Sequence, residues 1–172
     1  MLPGEPDIAS CLSILPIYLS IYKQGYQIIV FTSLRSYQTI FINFLLGVNK
    51  FYFFNLFKKE LSKAKKDKFK FIDFEKYTQA SIKRAYKEVD HLKIKNYRSI
   101  SKKINFSMKN IVNNFDDFKE IEKIYGIFFT DTMYNPQGPI NDYLRIYKPE
   151  IKIFNYRQGK TPSSLIINYF AR

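Results

Sequence analysis

Short apolar runs alternate with segments of helical periodicity along this chain of 172 residues. Each run has five or six residues and is rich in β-branched and aromatic side chains; the runs are Tyr26–Phe31, Lys50–Phe54 and Gly126–Thr130, and a further strand is predicted at Glu150–Asn155. Runs of this length predict strands that are buried on both faces, as in a parallel sheet. Because helical segments with short connections separate the runs, the pattern predicts an α/β protein.

Capping residues and glycines set the bounds of the first predicted helices. Asp7 and Gly25 flank a helix over Ile8–Tyr22, and Gly47 ends a helix over Tyr37–Leu46. The other predicted elements are helices at 56–66, 77–89, 97–114, 138–147 and 162–170, a strand at 69–74, and a helical extension at 116–125. Together they predict one domain over residues 1–172, in three layers, with a mostly parallel sheet flanked by helices. Its middle, at about 75–125, is helical and Lys-rich.

The net charge of +13 arises from 28 Lys and Arg against 15 Asp and Glu, and residues 50–109 hold 18 basic and six acidic residues. A charge of this size points to nucleic acid or to an anionic membrane surface. The cations, however, are 22 Lys and only six Arg, whereas recognition of phosphates and bases favours the bidentate Arg fork. Lys, Ile, Phe, Tyr and Asn share A/T-rich codons, so the base composition of the genome is an alternative source of the excess.

Several classes of site and segment are excluded by residue counts. Cys11 and His91 are the only Cys and His, too few for a disulfide scaffold or for a zinc site of the usual kind, and we expect no metal. The longest uncharged stretches, Ile8–Tyr22 and Ser36–Asn49, have 15 and 14 residues. Both are shorter than the roughly 18–20 apolar residues of a membrane-spanning helix.

The most informative segment follows the third apolar run. Asp131 comes directly after that run, and Asn135-Pro136 and Gly138-Pro139 restrict the backbone before the next predicted helix. In open α/β sheets, ligands bind beyond the carboxyl ends of the strands, so a site is predicted here. Gly138 permits close backbone approach, and Pro139 suits the first helical turn, whose amides would face the ligand. A tight strand–turn–helix connection that binds nothing is the alternative interpretation.

The run Asp131-Thr-Met-Tyr134-Asn-Pro136-Gln-Gly138-Pro139-Ile140, followed by a helix, a strand and Pro162-Ser-Ser-Leu-Ile166, resembles a known family. The family is the amino-terminal domain of bacterial capsule and surface-polysaccharide biosynthesis proteins, glycosyltransferase-like proteins of the two-Rossmann-domain (GT-B) type. There an acid-x-x-Tyr-x-Pro-x-Gly run follows a buried strand, and a short Arg-bearing helix lies upstream, where this chain has Ala80–Tyr86. The similarity runs diffusely from about residue 8 to 170. It implies a Rossmann-like domain that forms the acceptor-side half of a GT-B architecture.

The resemblance also implies roles for individual residues. Asp131, the expected catalytic residue, would hydrogen-bond acceptor hydroxyls or act as a base. Tyr134 would stack on a sugar face, and Arg84 would meet an anionic group. The expected substrate-binding residues are Thr132, Tyr134, Asn135, Gly138 and Arg84.

In that family a second Rossmann domain follows and binds the nucleotide-sugar, whereas this sequence stops at Arg172. We therefore expect no cofactor in this chain, because the nucleotide-sugar donor would bind the missing second domain. We also expect no sugar transfer by the chain alone; a fragment, a split gene product or a decayed gene would each give such a sequence. The expected partners are a sugar or lipid-linked acceptor and a separately encoded second Rossmann domain. The expected location is cytoplasmic, with a peripheral contact at the inner face of the membrane.

Two further functions are open. The first is a basic, non-enzymatic nucleic-acid-binding protein that uses the Lys- and Tyr-rich region 50–109, where Tyr77, Tyr86 and Tyr97 alternate with Lys. Aromatic platforms and tracks of cations suffice for unspecific binding of single strands. The second is a purely structural subunit in an obligate complex with a separately encoded domain.

Overall fold

The computed structural model describes residues 8–32, 37–54, 61–87, 94–129, 136–158 and 165–169. The fold groups them into two compact units, the described residues of Met1–Asn55 with Arg157–Ile166, and those of Leu56–Tyr156 with Ile167–Arg172. Helices and parallel strand pairs make up both. The chain is therefore a mixed α/β protein, as the sequence predicts.

The first unit begins with a helix and a β-α-β crossover. Its described elements are α1 (Ile8–Lys23), β1 (Ile29–Thr32), α2 (Tyr37–Leu45) and β2 (Lys50–Phe53). The strands β1 and β2 pair in parallel, with Ile29 opposite Lys50 and Thr32 opposite Phe53. Gly25 and Gly47 adopt φ values of +78° and +89° just after α1 and α2. This left-handed backbone is readily available only to glycine, which is why the helices end there, as predicted.

A buried hydrogen bond joins the two helices of the first unit. The Tyr18 hydroxyl on α1 donates to the Asn43 amide oxygen on α2 over 2.6 Å, and both side chains are buried. Beyond α2, Val48 is buried just before β2 begins. Across the two strands the Phe31 and Tyr52 rings lie 5.4 Å apart. One hydrogen bond therefore joins α2 to α1, and the buried Val48 leads from α2 into β2.

From residue 61 onward the structure is helical before it becomes a sheet. The described elements are α3 (Lys63–Lys68), a 3₁₀ turn (Phe69–Phe71), α4 (Phe74–Tyr86), α5 (Tyr97–Asp116), a second 3₁₀ turn (Ile121–Lys123), β3 (Gly126–Phe129), α6 (Gln137–Tyr147), β4 (Lys152–Gln158) and β5 (Leu165–Tyr169). The strands lie in the order β3-β4-β5. β3 and β4 are parallel, with Gly126 opposite Lys152 and Phe129 opposite Asn155.

The core of the second unit forms where α5 and α6 pack together. On α5 the buried residues Met108, Val112 and Phe115 follow one another at spacings of four and three, which places them on one helical face. On α6, Tyr143 and Leu144 are fully buried, and the Tyr143 ring meets the Phe115 ring edge-on at 6.1 Å. This apolar contact positions α6 against α5.

A carboxylate at the end of α5 is held in the same core. The Asp116 side chain is only 5% exposed, and it forms ion pairs with Lys65 and with Lys68, the latter over 2.5 Å. It also accepts a hydrogen bond of 2.6 Å from the Tyr143 hydroxyl on α6. The neighbouring Asp117, whose side chain is 55% exposed, pairs with Lys65 over 2.7 Å. The Asp116 cluster (Lys65, Lys68, Asp116, Tyr143) therefore ties α3, α5 and α6 together.

Folding lowers the pKa of Asp116 below its ordinary value. Burial by itself raises the pKa, but the hydrogen bonds from Lys65, Lys68 and Tyr143 outweigh burial. In return, burial and the hydrogen bond to Asp116 raise the pKa of the Tyr143 hydroxyl. The carboxylate is therefore more stable as an anion in the folded chain than in the unfolded chain.

Three predicted elements are wrong. The predicted strand at 69–74 is a 3₁₀ turn that leads into α4, because the Asp73 carboxylate accepts the Lys76 backbone N–H over 2.9 Å and caps the helix. The predicted helix at 162–170 contains β5, whose five residues are mostly β-branched or aromatic and lie beside β4. The helical extension predicted at 116–125 does not form, since α5 stops at Asp116 and a 3₁₀ turn at Ile121–Lys123 follows before β3.

Other bounds differ more modestly. The predicted helix at 77–89 runs from Phe74 to Tyr86. The predicted helix at 56–66 falls partly outside the described residues. In the structure α3 starts at Lys63, because the Ser62 hydroxyl caps it by accepting the Lys65 backbone N–H. In the described residues the strands form two sheets, β1-β2 and β3-β4-β5. The single three-layer domain over residues 1–172 stays a prediction.

Asp116→Asn is expected to lower the free energy of unfolding by about 2 kcal/mol at pH 7, because Lys68 and the Tyr143 hydroxyl lose a charged acceptor and Lys65 keeps only Asp117. Since folding lowers the pKa of Asp116, its contribution is complete above the unfolded-state pKa of about 3.9. The contribution is lost as the pH falls from there through the folded-state pKa, so the gap between wild type and variant narrows over that acid range. Urea unfolding followed by circular dichroism at neutral and acid pH measures both effects.

Asp117→Asn is the matched control, one residue along the chain. Its carboxylate is mostly exposed, so the same substitution should cost less than about 1 kcal/mol. Equal losses for the two variants would contradict the role given to the Asp116 cluster.

Candidate functional site

The carboxyl edge of the β3–β4 pair is where the sequence predicts a ligand site. β3 ends at Phe129, directly opposite Asn155 of β4, and residues 130–135 lead from there to Pro136 and the start of α6. Parallel strands present their carboxyl ends at the same edge, and ligands of open α/β sheets bind there. The β3-α6-β4 unit therefore has the topology that the prediction requires.

Of the six predicted site residues, four lie outside the described residues and two lie within them. Asp131, Thr132, Tyr134 and Asn135 lie outside the described residues. Gly138 is buried in the first turn of α6, together with Pro139 and Ile140. Arg84 is exposed in the last turn of α4.

A hydrogen bond joins the helix of Arg84 to the helix of Gly138. The Tyr77 hydroxyl on α4 donates to the Asp142 carboxylate on α6 over 2.8 Å, and Tyr77 is only 3% exposed. Burial, followed by the hydrogen bond to Asp142, raises the pKa of the Tyr77 hydroxyl, so it stays a donor at physiological pH. Arg84 lies about two turns beyond Tyr77, and Gly138 one turn before Asp142. The structure thus places both predicted residues on helices that contact each other.

Asn155 is a candidate site residue that the sequence analysis missed. Its amide oxygen is shielded from solvent and, like the Tyr22 hydroxyl, has no hydrogen-bond partner among the described residues. A buried acceptor without a partner costs about 1–3 kcal/mol, so such a group calls for an explanation. The sequence signal was a polar residue at the end of the predicted strand Glu150–Asn155. Its position opposite the end of β3 became visible only with the strand register.

A cleft lies elsewhere in the second unit. A cleft of about 480 Å³ is lined by the 3₁₀ turn before α4, by the start of α4 and by α5. Lys70 lies 4.9 Å from the ring of Phe71, which is 68% exposed, and Lys109 lies 5.6 Å from the ring of Phe74. Lys66 adds a third cation to the lining, and Asp73 and Glu75 add two carboxylates. This cleft, called the basic cleft below, therefore has a small excess of positive charge beside one exposed aromatic ring.

The aromatic residues expected to stack on nucleic acid differ in how far their side chains are exposed to solvent. Tyr77 is buried with its hydroxyl bound to Asp142, so it cannot serve as a stacking platform. Tyr86 is 51% exposed, and Tyr97 is half-buried. The inclusion of Tyr77 in a stacking surface is therefore wrong, because its ring faces the core between α4 and α6.

No protein-family model, curated protein or solved structure matches the chain. In the part of the chain that the structure describes, no helix is long and apolar enough to cross a membrane. Across those same residues, no group of three His, Cys, Asp or Glu side chains is placed to hold a metal ion.

Tyr77→Phe is expected to lower the free energy of unfolding by about 1–2 kcal/mol, because the partly buried Asp142 carboxylate loses its phenol donor. The measurement is urea unfolding at pH 7. Tyr86→Phe removes the same hydroxyl from an exposed position of the same helix and should change stability by no more than about 0.5 kcal/mol. If the two variants unfold alike, the Tyr77–Asp142 contact does not hold α4 against α6.

Proposed function

We propose that this chain is the acceptor-side domain of a surface-polysaccharide glycosyltransferase. In this proposal it has the Rossmann-like three-layer arrangement of a GT-B half, and it binds a sugar or lipid-linked acceptor at the carboxyl edge of β3 and β4. The observation that carries the proposal is the buried amide oxygen of Asn155, which has no partner among the described residues. Sugar hydroxyls are donors for such an oxygen. The resemblance of residues 131–140 to the capsule-biosynthesis family supports the same edge.

Each residue at this edge takes a chemical role in the proposal. Asn155 accepts a hydrogen bond from one acceptor hydroxyl, and Tyr134 stacks on the sugar face. When an acceptor oxygen attacks the anomeric carbon of the donor, its proton must leave, and the Asp131 carboxylate is the base that takes it. The bond from the anomeric carbon to the nucleotide diphosphate breaks, and the nucleotide leaves with the electron pair. A second Rossmann domain would supply that donor.

Two features of the helices suit an anionic acceptor. Gly138 lies in the first turn of α6, and the dipole of a helix start favours negative charge. Arg84 supplies a guanidinium on α4, which packs against α6 through the Tyr77–Asp142 contact. Phosphate groups are well matched by such a fork of donors. A sugar linked to a lipid through a diphosphate combines hydroxyls with the required charge.

Asn155→Ala is expected to weaken acceptor binding about tenfold, the cost of one hydrogen bond to a buried amide. The probes are a soluble capsule-type oligosaccharide and a diphosphate-linked sugar with a short isoprenoid chain, titrated by calorimetry. The free energy of unfolding should stay unchanged or rise, since the variant removes an acceptor that is unsatisfied without ligand. A purely structural asparagine would instead lose stability on the same substitution.

Asn105→Ala is the control for this experiment, because Asn105 lines the basic cleft rather than the strand edge. It should leave the affinity for both probes within about twofold, the usual scale for a residue outside the site. If neither probe binds the wild-type chain, or if both alanine variants bind equally well, the acceptor-binding proposal is wrong.

A second candidate function is binding of single-stranded nucleic acid at the basic cleft. The observation in its favour is Phe71, whose exposed ring lies beside Lys70 at the lining of the cleft. Bases stack on such rings irrespective of sequence, while lysines track the phosphates. This function uses Phe71 and Tyr86 in place of the buried Tyr77.

The two functions differ in their dependence on salt. If about three lysines contact phosphates, the affinity for a labelled single-stranded RNA should fall about 20-fold between roughly 50 and 200 mM salt. Fluorescence anisotropy measures this slope, and Phe71→Ala should weaken binding at every salt concentration. Absent binding, or an affinity that does not change with salt, would remove the nucleic-acid function.

A further inference from the structure

A stripe of large apolar side chains is exposed on α2. The α2 stripe consists of Tyr37, Phe41, Phe44 and Leu45, which are 67%, 61%, 64% and 66% exposed. Single exposed apolar residues are normal on protein surfaces, whereas a contiguous cluster marks an interaction site. The α2 stripe is such a cluster, because four of the nine residues of the helix belong to it.

Helix geometry places the stripe on one side of α2. At about 100° per residue, the four side chains fall within about 100° of the helix circumference. Asn43, which is buried against Tyr18 of α1, lies about 150° from the centre of the stripe. The side of α2 that packs on its own unit is therefore turned away from the stripe.

Charge narrows the choice of partner for the stripe. Residues 8–54 contain no Asp or Glu at all, and their charged residues are Lys23, Arg35 and Lys50. The whole chain carries +13, so a second copy would bring charge of the same sign to the contact. An anionic surface meets only attraction from these cations, and each cation near such a lipid surface contributes about 1 kcal/mol.

We propose that the α2 stripe docks this chain onto an anionic lipid bilayer. Tyr and Phe side chains partition into the interface between headgroups and acyl chains, where an apolar stripe is buried to a depth of about 5–10 Å. The cations of residues 8–54 and of the rest of the chain add the electrostatic attraction. The inference goes beyond acceptor binding and does not depend on it, because neither Asn155 nor residues 131–135 take part.

The test is co-sedimentation with vesicles that contain no glycan. The vesicles are equimolar phosphatidylglycerol and phosphatidylcholine, with pure phosphatidylcholine as the neutral comparison. The double variant Phe41→Ser, Phe44→Ser is expected to lower the partition coefficient on anionic vesicles about tenfold or more. Phe71→Ser is the matched control, since Phe71 is 68% exposed on the other unit, and it should change the coefficient less than about twofold. Neutral vesicles should bind the wild type more weakly.

Thermal melting of each variant separates loss of binding from loss of folding. If the double variant has a lower melting temperature than the wild type, a second double variant replaces it in the vesicle test. That variant is Tyr37→Gln with Leu45→Gln, which changes the two ends of the same stripe. Three results overturn the proposal. The wild type fails to bind anionic vesicles; the stripe and Phe71 variants lose binding equally; or sedimentation velocity shows that the stripe joins two copies of the chain while vesicle binding survives its substitution.

Discussion

The burial of one carboxylate determines much of the second unit. Asp116 is almost fully shielded from solvent, and a buried anion is tolerated only when several groups compensate its lost hydration. Lys65 and Lys68 supply the positive charge, and the Tyr143 hydroxyl supplies a further donor. Those partners come from α3 and α6, so a single side chain holds three helices in one arrangement. Removing any one of these partners weakens the compensation of the buried charge.

The same arrangement links the core to the candidate site. Tyr143 fixes the inner face of α6, while Asp142, its neighbour, accepts the Tyr77 hydroxyl from α4. These contacts hold α6 against α5 and α4. The buried amide oxygen of Asn155 lies on β4, opposite the end of β3.

Sequence reasoning succeeded where local rules decide the structure. Gly25 and Gly47 end their helices because only glycine adopts that backbone cheaply, and the apolar runs became strands. It failed where contacts between separate elements decide. β5 is a strand because β4 lies beside it, although 162–170 also suits a helix. The Asp116 cluster joins residues 51 and 27 positions apart. The orphaned oxygen of Asn155 depends on strand register, which periodicity alone does not reveal.

The absence of carboxylates from residues 8–54 has a consequence for how the molecule responds to acid. That stretch contains no Asp, Glu or His, so none of its side chains changes charge between about pH 3 and 7. The second unit does contain such groups, and Asp116 lies in its core. Acid below the unfolded-state carboxyl pKa of about 3.9 therefore acts on the helices gathered around Asp116, while the charge of α1, α2 and their two strands stays constant. Strong acid becomes a means of loosening the second unit selectively, and amide hydrogen exchange would follow the two units separately.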